Sequence, residues 1–341
     1  MTGDPTLSRW RAATRLHHDY FTGLLLYLLQ TRGEAAGSEL IFRIFRRQHE
    51  EKFLAGLKTL GLDSLPPAVA CAQFIYLANL VGGVKVEVMP ESEHKAWVRY
   101  PPPRWAYMGP SICAVPRETS VAFMRAFHSR CGVTLGNPRL GFVCTAITTD
   151  GDPGLEGYFV EEDRDLAEDE RLRFRPDETG PDFDPALAPK LDWDESRLIK
   201  ARRNYAIQYI RMALPALADI FGEAEGAELG RHAARLVGMQ AYDETAGLLC
   251  IEARDAPAFA TYLQAMLDGG GDEAEVSTRG TDVIVEAPCL RILEADGPGS
   301  AQTRFQAWNG LFEGALAVHN RHLTLKAVSD DDAWRWRIEA R

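Results

Sequence analysis

The stretch Pro66–Tyr100, P-P-A-V-A-C-A-Q-F-I-Y-L-A-N-L-V-G-G-V-K-V-E-V-M-P-E-S-E-H-K-A-W-V-R-Y, changes its periodicity half-way. Pro66 and Pro67 open a helix, because proline's fixed φ suits a first turn whose N–H groups have no partner inside the helix. Gly82 and Gly83 stop it. Beyond them Val84–Met89 and Ala96–Tyr100 are rich in β-branched and apolar residues, and the polar stretch Pro90–Lys95 separates them. That is the pattern of a hairpin. A helix that hands over to a hairpin points to an α+β chain.

The reading extends in both directions. Upstream, Trp10, Ala13, His17, Tyr20, Leu24 and Leu28 recur at helical spacing and predict a long amphipathic helix ending near Gly33. Ile41, Phe45, His49, Phe53 and Leu57 mark a second helix, roughly Ser38–Leu60, stopped by Gly61. Downstream of the proline-rich loop Pro101–Pro116, a helix is expected over about Glu118–Cys131, with Gly132 as its C′ residue. Two strands follow, near Leu140–Thr148 and Leu155–Val160, joined by the turn residues Asp150–Gly154. After an acidic segment the pattern restarts. Asp194 or Ser196 caps a helix carrying Leu198, Tyr205, Tyr209 and Met212, which Pro215 is expected to kink or interrupt. A second helix carries Leu229, His232, Leu236 and Met239, and a third covers about Ala256–Leu267. Strands near Ala274–Ser277 and Asp282–Glu286, a helix over Gln302–Val318, and strands near Leu323–Val328 and Trp334–Glu339 complete it. Both halves read helix–helix–helix–hairpin–helix–hairpin. The expected fold is therefore α+β and internally duplicated, with antiparallel sheet in each half. The halves span 1–161 and 194–341, around an acidic, proline-rich linker at 162–193.

Composition narrows the function classes. The 341 residues carry a net charge of −11, which argues against a nucleic-acid partner. Fourteen acidic and five basic side chains fall within 161–195, so most of the excess lies in one segment that reads as solvated. The six cysteines form no C-x-x-C pair, and the N-terminus lacks the basic-then-apolar order of a signal peptide. The longest apolar run, Leu24–Leu29, is too short for a bilayer. A cytoplasmic protein with no membrane partner is expected, as a monomer or a homodimer.

The close histidine pairs, His17-His18 and His319-x-x-His322, lack a zinc spacing with a third ligand and read as surface histidines. No phosphate loop or nucleophile elbow occurs. Neither metal nor cofactor is expected. His49 and His232 each lie on the apolar stripe of the second helix of their half, where an imidazole is either a core residue or a base facing a cavity. His128 is a third candidate base. The densest cluster is W-V-R-Y-P-P-P-R-W-A-Y, Trp97–Tyr107, in which prolines stiffen a loop carrying Arg99, Tyr100, Arg104, Trp105 and Tyr107. Its arginines suit a carboxylate and its aromatics suit a pocket wall. The corresponding stretch of the second half is Glu286–Arg291, where Cys289 stands beside Arg291. A neighbouring guanidinium favours the thiolate, although a lone cysteine is more often inert. Trp308 and Asn309 on the last long helix complete the set of candidate contacts, with Glu313 one turn beyond Asn309.

Pro288-Cys289, the run F-Q-A-W-N-G-L-F-E-G-A-L at Phe305–Leu316, and the closing W-R-W-R-I-E resemble the L-2-amino-thiazoline-4-carboxylic acid hydrolase family. The resemblance covers roughly 225–341 and, more faintly, 36–161. It implies hydrolytic opening of a small heterocycle at a carbon–nitrogen bond, with Cys289 as the matching cysteine. Three features depart from it: the order is Pro-Cys, Asn309 stands where an acid is expected, and the first half has Tyr100-Pro101 with no cysteine. The expected function is a hydrolase acting on a C–N bond of a small cyclic or amide-bearing organic acid. Arg99, Arg104 and Arg291 would hold the anion, and Cys289 or a histidine would do the chemistry. The alternative is a ligand-binding or sensor protein without turnover. A scaffold associating through the acidic segment is a third class.

Overall fold

Local chemistry places most element ends. In the computed structural model, which describes residues 4–102, 104–106, 114–280, 282–294, 297–329 and 333–340, three long helices come first: α1 (Pro5–Arg32), α2 (Glu34–Thr59) and α3 (Pro67–Gly82). Pro67 starts α3, and Gly83, at φ 81°, ends it in the left-handed conformation that a side chain resists. Next come β1 (Glu87–Pro90), β2 (Lys95–Tyr100), α4 (Arg117–Ala126), a 3-10 turn at His128–Arg130, the short α5 (Cys131–Thr134), β3 (Leu140–Ala146), β4 (Leu155–Glu161) and β5 (Leu172–Phe174). The chain closes with α6 (Glu195–Phe221), α7 (Glu223–Leu248), α8 (Ala256–Gly270), β6 (Glu275–Arg279), β7 (Asp282–Ala287), α9 (Ala301–His319), β8 (Leu323–Ser329) and β9 (Trp334–Ala340). Asp194, Asp255 and Ser300 cap α6, α8 and α9 by accepting from the backbone N–H groups of Arg197, Ala258 and Thr303.

The fold is α+β with two largely antiparallel sheets. It divides into two compact units, Leu29–Trp193 and Met1–Leu28 with Asp194–Arg341. We call them the β1–β5 unit and the β6–β9 unit. These bounds differ from the expected halves at both ends. Most of α1 belongs with the β6–β9 unit, where the Tyr20 hydroxyl donates to the carbonyl of Gly230 at 3.0 Å. Residues 162–193 belong to the β1–β5 unit instead of linking two domains.

The sheet of the β1–β5 unit runs β1-β2-β4-β3-β5, with β5 alone parallel to its neighbour. Alternation sends Val98, Tyr100, Phe142 and Phe159 to the helical side. On the other face Met89, Trp97, Val143 and Tyr158 form an apolar cluster against which Phe183 packs. The expected solvated segment thus covers a sheet face. Arg99 explains how it is held. Its guanidinium pairs with Glu156 across the strands and with Glu87 at 3.0 Å, and donates to the carbonyl oxygen of Pro181 at 3.1 Å. Glu156 in turn accepts from the N–H of Gly180 at 2.9 Å. Two further expectations are corrected. Gly132 lies inside α5, where a Cβ would meet the backbone oxygens of Leu140 and Asn137, and the left-handed glycine is Gly136, at φ 68°. The helix expected over 118–131 is correspondingly broken into α4, the 3-10 turn and α5.

The sheet of the β6–β9 unit runs β6-β7-β9-β8. Pro215 does not interrupt α6: the residues Met212–Leu217 are buried, and their packing offsets the single lost backbone bond. Helices α7 and α9 approach so closely that glycine is obligatory at the contact. A Cβ on Gly238 would strike the carbonyl oxygen of Leu311, and one on Gly314 that of Arg235. No described helix is long and apolar enough to cross a membrane.

The glycine contact makes opposite predictions for two helical positions. Gly314→Ala should lower stability by about 2–3 kcal/mol, because backbone overpacking outweighs the ~1 kcal/mol that alanine gains intrinsically in a helix. Gly247→Ala in α7, where a Cβ meets nothing within 4 Å, should be neutral or stabilising. Urea unfolding of both variants checks the signs.

Candidate functional site

At the end of β2 the chain leaves the sheet with Tyr100 pointing into the core of the β1–β5 unit. Arg104, four residues on, lies over three rings: its guanidinium carbon is 4.8 Å from the Tyr100 centroid, 4.4 Å from Trp105 and 5.4 Å from Phe123. Such faces attract a cation without neutralising it. Trp105 has φ 61°, a conformation rare for a bulky residue and one that concentrates at functional sites. Its carbonyl accepts from Val115 at 3.0 Å, which brings the loop back toward α4.

His128 begins the 3-10 turn after α4 and is 1 % exposed. Its ring stacks on Phe159 at 5.7 Å and meets Phe123 edge-on at 4.8 Å. Its Nε2 lies 3.3 Å from the Tyr100 hydroxyl. His49, on α2, is equally buried and bonds Thr134 Oγ1 through Nε2 at 2.8 Å. Burial pushes the pKa of His128 down to about 3, helped by the charges of Arg104 and His49. Burial likewise takes His49 to about 4, with Arg46 and Arg130 adding to the shift. Both imidazoles are neutral at pH 7. Four nitrogens here are buried and without a hydrogen-bond partner: His49 Nδ1, Arg104 Nε, Trp105 Nε1 and His128 Nδ1. Arg104 has no carboxylate partner among the described residues.

No family model, curated protein or solved structure matches this chain. What can be said of the site therefore rests on its own atoms.

The structure brings His49, His128, Tyr100, Arg104 and Trp105 into this one cluster. Tyr107 lies outside the described residues. Arg99 points to the other sheet face and is committed to Glu156 and Glu87. The other candidates belong to the β6–β9 unit. Cys289 is exposed. His232 is exposed on α7, and its ring lies 6.5 Å from that of Tyr27. Trp308 is buried and donates Nε1–H to His17 Nε2 at 3.1 Å. Asn309 accepts from Trp336 Nε1 at 2.7 Å and donates to Glu313 at 3.3 Å. Glu313 is held by Arg231 at 2.8 Å. Among the described residues no group of three or more His, Cys, Asp or Glu is placed to hold a metal.

Sequence reasoning passed over several groups. His17 and His319, read as surface residues, are buried, whereas His18 and His322 are exposed. His17 Nδ1 bonds the Ala13 carbonyl at 2.7 Å, so Nδ1 carries the proton and Nε2 accepts from Trp308. His319 bonds the Tyr242 hydroxyl at 2.5 Å and the Asp255 carbonyl at 2.8 Å. The signal for His17 was present, since it lies on the apolar stripe of α1. Asp272 and Arg203, both buried, carried none.

The buried histidines set an acid limit. Unfolded, each takes up a proton near pH 6.5, but His17 and His49 do so only near 4 in the folded chain, and His128 near 3. Their contribution to stability is therefore complete above 6.5 and is lost progressively as pH falls toward those values. Asp272, raised to about 6 by burial, acts in the opposite direction over part of the window. His319 is lowered by burial as well, and Asp19 and Asp268 are raised with Asp272; the three large histidine shifts set the sign, so unfolding free energy should decline from pH 6.5 to 4. His17→Gln should make that decline shallower and Asp272→Asn should make it steeper, as measured by chemical unfolding across the pH range.

Proposed function

We propose that the protein binds a small organic molecule bearing a carboxylate or amide oxygen at the Arg104 cluster of the β1–β5 unit. The carrying observation is the set of four unpartnered nitrogens, one of them Arg104 Nε, in a cluster whose guanidinium lies over three aromatic rings and has no hydrogen bond or ion pair among the described residues. A buried polar group without a partner costs about 1–3 kcal/mol. A ligand supplying acceptor oxygens to Arg104 and Trp105 would remove part of that cost, and Tyr100, Trp105 and Phe123 suit a flat ring beside them. This is the reading of a binding or sensor protein without turnover.

Hydrolysis of a C–N bond in a small cyclic or amide-bearing organic acid is the second reading. It is favoured by the neutral imidazole of His128, hydrogen-bonded to Tyr100 beside the cationic group that would hold the acid. Two facts rank it second. An imidazole with a pKa near 3 is a weak base at neutral pH. The thiol of the family resemblance, Cys289, belongs to the other unit.

We also infer that the two halves arose by duplication. Both sheets place their four matching strands in the same order, β1-β2-β4-β3 and β6-β7-β9-β8. The penultimate residue of the second strand pairs with the strand beside it in both, Arg99 with Glu156 and Glu286 with Arg335, the charges exchanged. Ala287 then stands where Tyr100 does, so the second copy lacks the first ring of the Arg104 cluster. A cytoplasmic location, in a monomer or homodimer without a nucleic-acid partner, belongs to the same proposal. It is supported by the acidic charge balance and by the free thiols of the described cysteines.

A thermal-shift series of small carboxylic acids, amides and nitrogen heterocycles, with mass spectrometry of every stabilising compound, tests this. The expected result is a compound that stabilises the protein and persists, by about 2.7 kcal/mol at a hundredfold excess over Kd. Arg104→Gln should abolish the shift and Cys289→Ala should leave it. A compound that stabilises and is consumed would move the conclusion to the hydrolase. Stabilisation that survives Arg104→Gln would remove the site.

A further inference from the structure

We propose a second oxyanion site, in the β6–β9 unit, formed by the guanidinium groups of Arg203 and Arg291 and accepting a carboxylate or phosphate group. Arg203 lies on α6 and is 4 % exposed. Its donors reach only neutral acceptors: Nη1 bonds the Gly269 carbonyl at 3.3 Å, and Nε and Nη2 bond Asn204 Oδ1 at 3.2 and 2.9 Å. Arg291, half-buried after β7, has no hydrogen bond or ion pair on its side chain among the described residues. The Nη1 atoms of both arginines lie under 3.0 Å from the point a Cβ on Gly271 would occupy. Two cationic ends therefore converge beside Gly271, an exposed residue whose φ of 96° disfavours any side chain that would crowd them.

No direct ion pair reaches either guanidinium at that spot among the described residues. Asp272, the neighbouring buried carboxyl, spends Oδ1 on the backbone N–H of Arg291 at 2.8 Å. Its charge attracts both guanidinium groups from beyond ion-pair distance. Lys200 adds a further positive charge, sharing the ring of Trp10 with Arg203 at 5.8 and 5.6 Å. Glu294, the other acid close to Asp272, is exposed. Like charges brought together in a buried setting need an anion or a strong set of acceptors, and planar guanidinium groups present donors matched to an oxyanion. The cavity between Asp272, Gly270, His17 and Trp308 measures about 10 Å³, room for a single water. His17 has both ring nitrogens occupied. The anion accordingly belongs on the Gly271 side, where Arg291 is reachable from solvent.

Calorimetric titration at fixed ionic strength tests the site, using inorganic phosphate and acetate as probes. The Arg104→Gln protein serves as background, so that the cluster of the β1–β5 unit does not contribute. Saturable one-to-one binding of at least one probe is expected, and the tighter probe identifies the group as phosphate or carboxylate. Adding Arg291→Gln should weaken binding about tenfold. Adding Asp272→Asn should tighten it a few-fold, because the amide oxygen still accepts from Arg291 while the repelling charge is gone. A merely structural role for Asp272 would not produce tighter binding. Absence of saturable binding for both probes in protein with unchanged circular dichroism would overturn the site. So would affinity indifferent to Arg291→Gln, or weakened by Asp272→Asn.

Discussion

An antiparallel sheet presents one face that must be taken out of water, and in each unit the helices lie where that requirement puts them. In the β1–β5 unit the covered face carries Val98, Tyr100, Phe142 and Phe159, and it is against these residues that the turn after α4 sets His128. The opposite face is apolar too, through Trp97 and Tyr158, whose rings are 4.5 Å apart. A sheet with two apolar faces needs two covers. The second is the acidic segment, drawn in by Phe183 and fastened by the Arg99–Glu156 pair. A few charges of that segment pair internally, as in Arg164 with Glu170 and Arg173 with Glu162, while most of its other acids face solvent and its backbone lies on the sheet at Gly180 and Pro181.

Desolvation also decides the chemistry. An imidazole among phenylalanines is a poor proton carrier, because the charged form loses its hydration and gains little in return. His17 and His319 meet this constraint by filling both ring nitrogens. His49 and His128 fill only one each, and His128 stands near the charge of Arg104, which has no carboxylate partner among the described residues. That contrast separates histidines with both nitrogens satisfied from histidines with one left over.

Much of the architecture could be read from residues with a single strong local preference. Pro67 and Gly83 bound α3, Asp194 caps α6, and alternating apolar residues mark the hairpins. Pro215 misled as a helix break because buried neighbours outweigh one lost hydrogen bond, and Gly132 misled because a tight approach to Leu140 needs glycine for a reason unrelated to helix ends. The acidic segment misled because counting charges does not reveal that Phe183 packs on the sheet or that Arg99 and Glu156 bond the backbone of Pro181 and Gly180. Of the site, Arg104, Tyr100 and Trp105 were legible as a stiff aromatic loop. The company of His128 was not, since it depends on the sheet face that closes over it. Gly269–Asp272 reads as a helix end, and nothing local says that Arg203 and Arg291 converge there.

The two arginine environments use different means to hold a cation out of water. Arg104 rests on ring faces, which supply attraction without hydrogen-bond acceptors, so its Nε remains unpaired. Arg203 is surrounded by a carbonyl and an amide oxygen, which satisfy its donors but leave its charge without a direct ion pair. An oxyanion answers either deficiency, through hydrogen bonds in the first case and through charge in the second. At the end of the second strand of its sheet the β6–β9 unit has Ala287 where the β1–β5 unit has Tyr100, and Arg203 lies over the ring of Trp10; an anion at the proposed second site would be recognised chiefly by charge and donor geometry.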